Sequence, residues 1–204
     1  MTRARRRAQA QKRPTLEGRV VRLELGELEI ARGDDGFLRG APEPVLVAGL
    51  YVVGEGVALL TRQVVRFARP AEIPTTVIPE GAHELRSERY VAPGERFFGL
   101  VCALEEDDGR GVRRAYELLD EPGSLLCFRL DAREPEPVPL AVAASAAATR
   151  PVELLASGRP LADEVEGDDL VGAALVGMGR TWTTHRVRFA ARGNDWTAIA
   201  RARM

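Results

Sequence analysis

"EGRVVRLELGELEIARGDDG" (residues 17–36) alternates through its first half: Val21, Leu23 and Leu25 fall on one side, Arg22 and Glu24 on the other. Successive side chains of an extended chain point to opposite faces, so this is a strand with one apolar and one polar face. The phase then shifts, with Leu28 and Ile30 apolar. A shift at Gly26-Glu27 means either a hairpin turn with Gly first or a β-bulge.

The same period returns at the end of the chain. In "TWTTHRVRFAARGNDWTAIARARM" (181–204), Trp182, Thr184, Arg186 and Arg188 oppose Thr183, His185, Val187 and Phe189. After "ARGND", Trp196, Ala198 and Ala200 oppose Thr197, Ile199 and Arg201. Gly193 and Asn194 both tolerate positive φ, so the segment reads as a terminal antiparallel hairpin. Between these ends lie apolar runs of a second kind. "EPVLVAGLYVV" (43–53) and "GVALLTRQVVRFA" (56–68), joined through Gly54-Glu55-Gly56, read as a hairpin of buried strands. "ERFFGLVCALEE" (95–106), "SLLCFRLDA" (124–132) and "DLVGAALVGMG" (169–179) read as further strands. The proline-punctuated "RPAEIPTTVIPEG" (69–81) and the stretch up to Pro93-Gly94 read as loop.

One helix stands out, "DDGRGVRRAYELLDEPG" (107–123). Val112, Ala115, Tyr116 and Leu119 share one helical face. Asp107 and Asp108 precede it as N-cap and dipole partners, and Pro122-Gly123 stops it. "REPEPVPLAVAASAAATRP" (133–151) reads as a linker or excursion, with a short Ala-rich helix as the alternative. A second helix is possible at "PVELLASG" (151–158). Eight or nine closely spaced strands against one firm helix predict a mainly β chain, an antiparallel β-sandwich with one principal inserted helix. Residues 1–14 are expected to be a basic disordered tail. Residues 15–204 are expected to form a single domain with an insertion around 106–160.

Of the 204 residues, 45% are apolar and 29% charged, enough apolar material for a core and no run near the ~20 residues of a membrane span. Net charge is −1, but Arg3, Arg5, Arg6, Arg7, Lys12 and Arg13 put +6 into the first 13 residues, which leaves −7 for the remainder. A mildly acidic body is not a nucleic-acid-binding domain by charge, whereas the tail could touch anionic lipid or RNA. No apolar segment follows the basic start, so no signal peptide is expected. Cys102 and Cys127 sit in apolar runs without metal or redox spacing, which points to reduced thiols and the cytoplasm. Arginine outnumbers lysine 28 to 1, a codon bias that points to a bacterial source.

No nucleophile elbow, phosphate loop, dinucleotide loop or zinc-protease motif occurs. His83 and His185 lack local partners, so no enzyme is expected; an enzyme or accessory protein whose site only the fold assembles is the alternative. Trp182 and Trp196 flank the last hairpin; core packing is expected for both, with a recognition surface as the alternative. Three Asp pairs remain, Asp34-Asp35, Asp107-Asp108 and Asp168-Asp169, each where a strand meets a loop. Turn chemistry accounts for such pairs. Hard cations also want several oxygens from converging loops.

"DDLVG" (168–172), leading into an apolar strand, resembles the third calcium loop of C2 domains. "ARGDDGFLRGAPEPVLVAGLYVV" (31–53) is similar to their first loop and second strand. The resemblance implies a C2-like sandwich that serves as a cytoplasmic binding or assembly module for a protein partner or for self-association. Its calcium-dependent, phospholipid-binding form would use Asp34, Asp35, Glu43, Asp163 and Asp169 as ligands. Leu161 stands at a further ligand position and cannot bind a cation. The expectation is therefore no cofactor, with calcium as the alternative.

Overall fold

The computed structural model describes residues 17–33, 41–129, 136–145, 149–166, 168–191 and 193–204. The tail cations Arg3, Arg5, Arg6, Arg7, Lys12 and Arg13, and the loop acids Asp34 and Asp35, lie outside the described residues. In chain order the strands are β1 (Glu17–Arg32), β2 (Pro44–Val53), β3 (Val57–Arg66), β4 (Thr75–Val77), β5 (Glu84–Val91) and β6 (Arg96–Glu105). After α1 (Arg110–Leu118) come β7 (Leu125–Arg129), β8 (Val138–Pro139), the short α2 (Leu140–Ala143), β9 (Arg150–Ala156) and β10 (Arg159–Pro160). A second short helix, α3 (Leu161–Glu164), leads to β11 (Asp169–Gly177), β12 (Thr183–Ala191) and β13 (Asn194–Arg203).

The chain is mainly β, and its sheets are antiparallel. The smaller runs β12-β13-β1-β4, with β5 also on β1. The larger runs β3-β2-β6-β11-β9-β7-β8, with β10 on β9. Long β1 is the spine of the smaller sheet, and the phase shift at Gly26-Glu27 is a bulge within it. Leu25 faces Ala200 and Leu28 faces Ala198, three steps on β1 against two on β13. The extra residue restores Leu28 and Ile30 to the core side. It also falls where β1 changes partner, from β5 (residues 17–24) to β4 (28–30).

The two patterns of apolar residues have different causes. One face of the smaller sheet is wet, so its strands alternate. Val21, Leu23, Leu25, Phe189, Trp196, Ala198 and Ala200 are buried and pack against Leu46, Leu50, Val101 and Val176 of the larger sheet. Gly99 allows this approach, because a Cβ there would stand 2.6 Å from Leu23 Cδ2. The central strands of the larger sheet are buried on both faces and read as unbroken apolar runs. Val45, Tyr51, Phe98, Leu100, Cys102 and Leu175 form a second core beneath Val112, Ala115 and Leu118 of α1, Leu140 of α2 and Leu161 of α3. Each large side chain buried this way contributes roughly 1.5–3 kcal/mol.

Several expectations are corrected. "PVELLASG" is mostly strand β9, whose Val152–Ala156 pair with β7, and not a helix. Ser157 (φ 53°) and Gly158 (φ 82°) turn it back into β10. The stretch before Pro93 holds a strand, β5, whose only core side chain is Leu85. The segment 106–160, expected as an insertion, supplies β7 to β9 of the larger sheet and two of the helices over it. Trp196 is in the core as expected, but Trp182 is exposed to 36%.

Candidate functional site

The acidic end of the sandwich does a structural task. Helix α1 starts at Gly109 (φ 75°), which has no side chain to cap it. The cap arrives from some sixty residues away. Asp168 Oδ1 accepts from the N–H groups of Asp107 (2.7 Å), Asp108 (2.9 Å) and Gly109 (3.2 Å), and Oδ2 accepts from Val112 (2.8 Å). Four orphan donors at a helix N-terminus thus converge on one buried carboxylate, 5% exposed. Asp107 and Asp108 are therefore not the N-cap; Asp108 accepts locally from the Arg110 N–H (2.9 Å). The far end of α1 is held by Tyr51, whose hydroxyl donates to Leu119 O (2.9 Å), and by Arg62, which donates to Tyr116 O (2.6 Å). Burial raises the Tyr51 phenol above its ordinary pKa, so it stays a donor.

The remaining sequence-named acids take separate roles. Pro44 and Asp169 both pair with Glu105 of β6, from opposite sides, so the chain enters β2 and β11 at the same end of the sheet's central strands. Two strand spacings, roughly 10 Å, separate those two backbones. The Glu43 carboxylate is engaged by Arg69 (2.9 Å). Asp163 lies on α3 in a polar cleft it shares with Arg110, Arg114 and Arg159. Among the described residues no three His, Cys, Asp or Glu side chains are gathered as a metal site.

The cysteines and histidines do not line the clefts described here. Burial pushes the Cys102 and Cys127 thiols up to about 12, so neither is a thiolate near neutrality. His83 Nδ1 is 2.9 Å from Gly81 O. His185 Nδ1 is 2.6 Å from Thr149 Oγ1, and desolvation lowers its pKa, opposed by the nearby Gly177 backbone.

What sequence reading missed is an apolar cleft of about 240 Å³ where β9 and β11 part. These strands pair only through Ala173–Leu175 against Arg150–Val152. A register shift between Leu170 and Gly172 turns the start of β11 away. β10 rejoins β9 only at Leu155 and Ala156. The gap is lined by Pro151, Leu154, Pro160, Leu170 and Phe189, and it opens beside Arg188–Ala191 of β12. β12 is an edge strand, paired only with β13 among the described residues. Of the charged lining residues, Arg188 is pinned by a bidentate pair with Asp195 (2.8 and 2.8 Å), which holds the Asp195 carboxyl below its usual range. The other, Glu153, lies on β9. Five separate elements (β9, β10, α3, β11 and β12) build this cleft, so no local spacing announces it.

Comparisons with protein-family models, with curated proteins and with solved structures return no match to this chain. The functional reading rests on the residues themselves.

Proposed function

We propose that the protein is a non-enzymatic binding module of the cytoplasm, C2-like in architecture, that captures an extended segment of a protein partner along β12. The observation that carries this reading is the apolar cleft beside an edge of β12 that is unpaired among the described residues. Its volume, about 240 Å³, is below the ~300–1,000 Å³ of sites for cofactors and drug-sized ligands. It suits one or two apolar side chains. A segment added to β12 would gain main-chain hydrogen bonds for affinity, and an apolar side chain in the cleft would give specificity. Free, buried cysteines support a reducing compartment. Among the described residues, no helix is long and apolar enough to cross a membrane.

Selection of a displayed random-peptide library on the full chain tests this. Enriched peptides should share an aliphatic or aromatic residue within an extended, proline-poor stretch. Ala190→Trp, placed at the exposed mouth of the cleft, should weaken them about tenfold or more, the loss expected of a blocked interface pocket. Its unfolding curve should match that of the parent chain. Peptides that bind the blocked chain equally well would refute the site. A parent chain that sediments as a dimer, and as a monomer with Ala190→Trp, would make the occupant a second copy of β12.

A further inference from the structure

A second surface lies on the wet face of the smaller sheet, toward the end of β12 away from the cleft. The core-facing positions of β1 are Val21, Leu23 and Leu25, so Arg22 points outward. The register sets Arg22 directly between Arg86 of β5 and Arg203 of β13. Three like charges thus stand abreast across about 10 Å, an arrangement that works against sheet stability. Neighbouring acids answer two of them: Glu84 lies 3.2 Å from Arg22, and Glu88 pairs with Arg86. Arg203 instead stacks on Trp182, its guanidinium 4.8 Å from the ring centroid, while Arg201 lies 4.9 Å from the same ring. The Nε donors of Arg22 and Arg203 are shielded from solvent and meet no acceptor among the described residues.

Exposed aromatics bracket this row. Trp182 precedes Thr183, which pairs with Ala202, so it stands at the outer end of the row beyond Arg203. Tyr90, 67% exposed, lies on the same face four residues along β5 from Arg86, about 13 Å away. Its ring lies over Gly18, where a Cβ would be 3.7 Å from Cε1. In sequence, the strand at the centre of the row follows thirteen residues that carry six cations and no acid.

The geometry points to a short single-stranded nucleic acid on this face, with phosphates along Arg86, Arg22 and Arg203 and bases stacked on Trp182 and Tyr90. A flat sheet that offers aromatic faces beside arginines is the platform such strands use. An anionic bilayer fits less well, because no large aliphatic group projects from the row to enter the acyl region. An acidic peptide would leave the aromatic faces without a role. The span suits about four nucleotides, the lower end of known site sizes. This surface is separate from the cleft, so either can fail alone.

Fluorescence anisotropy of the full chain with labelled twelve-nucleotide oligouridylate and oligothymidylate tests the assignment, the two probes separating RNA from DNA. Binding should be salt-dependent. Trp182→Ala should weaken it about tenfold with little change in the salt slope. The double variant Arg86→Gln, Arg203→Gln should flatten the slope of log Kobs against log salt by about 1.4, at ~0.7 per phosphate contact. Ala190→Trp should bind like the parent chain. Absence of binding at low salt would overturn the assignment. So would binding that both sets of variants leave unchanged, or capture by phosphatidylserine vesicles with neither oligonucleotide bound.

Discussion

Asp168 is the residue on which the most backbone depends. Asp168→Ala would leave four N–H groups at the start of α1 without their acceptor. Loss of a cap costs ~1 kcal/mol, and buried donors left unsatisfied cost ~1–3 kcal/mol more. A drop of about 2–4 kcal/mol in urea unfolding is expected, with Asp168→Asn intermediate because it keeps one acceptor oxygen. Asp163→Asn, in its arginine-rich cleft, should stay within ~0.5 kcal/mol. For the same reason, and because Arg69 holds Glu43, millimolar calcium should leave the melting temperature unmoved; a rise abolished by Asp169→Asn would restore the calcium reading. His185 adds a pH dependence. Its folded pKa is lowered by desolvation, so the unfolded chain takes up the proton first as pH falls. The contribution of His185 is fully present above about pH 6.5 and declines below it, and His185→Gln should remove that part of the stability profile. None of these roles shows in the sequence, where the three Asp pairs look alike. What distinguishes Asp168 is a partner helix some sixty residues away.

At the scale of elements, legibility followed the depth of the pattern. α1 was readable because Val112, Ala115 and Leu119 lie on one buried face. β1, β12 and β13 were readable because one wet face forces alternation. β9 was misread because Leu154-Leu155 breaks the alternation, although Val152, Leu154 and Ala156 are its buried residues. β5 was missed because a strand with one core side chain carries almost no apolar signal. The turn after β9 is a clean test of backbone conformation. Nothing lies within 4 Å of a Cβ at Gly158, yet its φ is 82°. Gly158→Ala should therefore cost about 1–2 kcal/mol by conformation alone. Gly123→Ala, equally open but free of positive φ, should be neutral or mildly stabilising. Equal losses at both sites would mean that the turn does not set the β9–β10 return. Gly111 differs again: a Cβ there would stand 2.7 Å from Val165 O and 2.8 Å from Asp168 Cβ, so Gly111→Ala should disturb the cap itself.

The whole molecule is three layers deep: a half-wet sheet, a sheet buried on both faces, and a layer that α1 dominates. This explains why one chain carries both alternating and unbroken apolar strands. It also leaves two places where the layers do not close, the splay of β9 from β11 and the charged outer face of the smaller sheet. Both candidate surfaces lie there, and both are assembled from strands distant in sequence, which is why motif reading passed over them. The claim at the centre is that β12 accepts a partner segment over the apolar cleft. Hydrogen–deuterium exchange of the full chain, with and without a library-selected peptide, measures this at the strand itself. The account predicts added protection confined to Thr183–Ala191 and to the cleft walls on β9 and β11, and its loss in Ala190→Trp. Protection that appears elsewhere while the β12 amides exchange as in the free chain would contradict it.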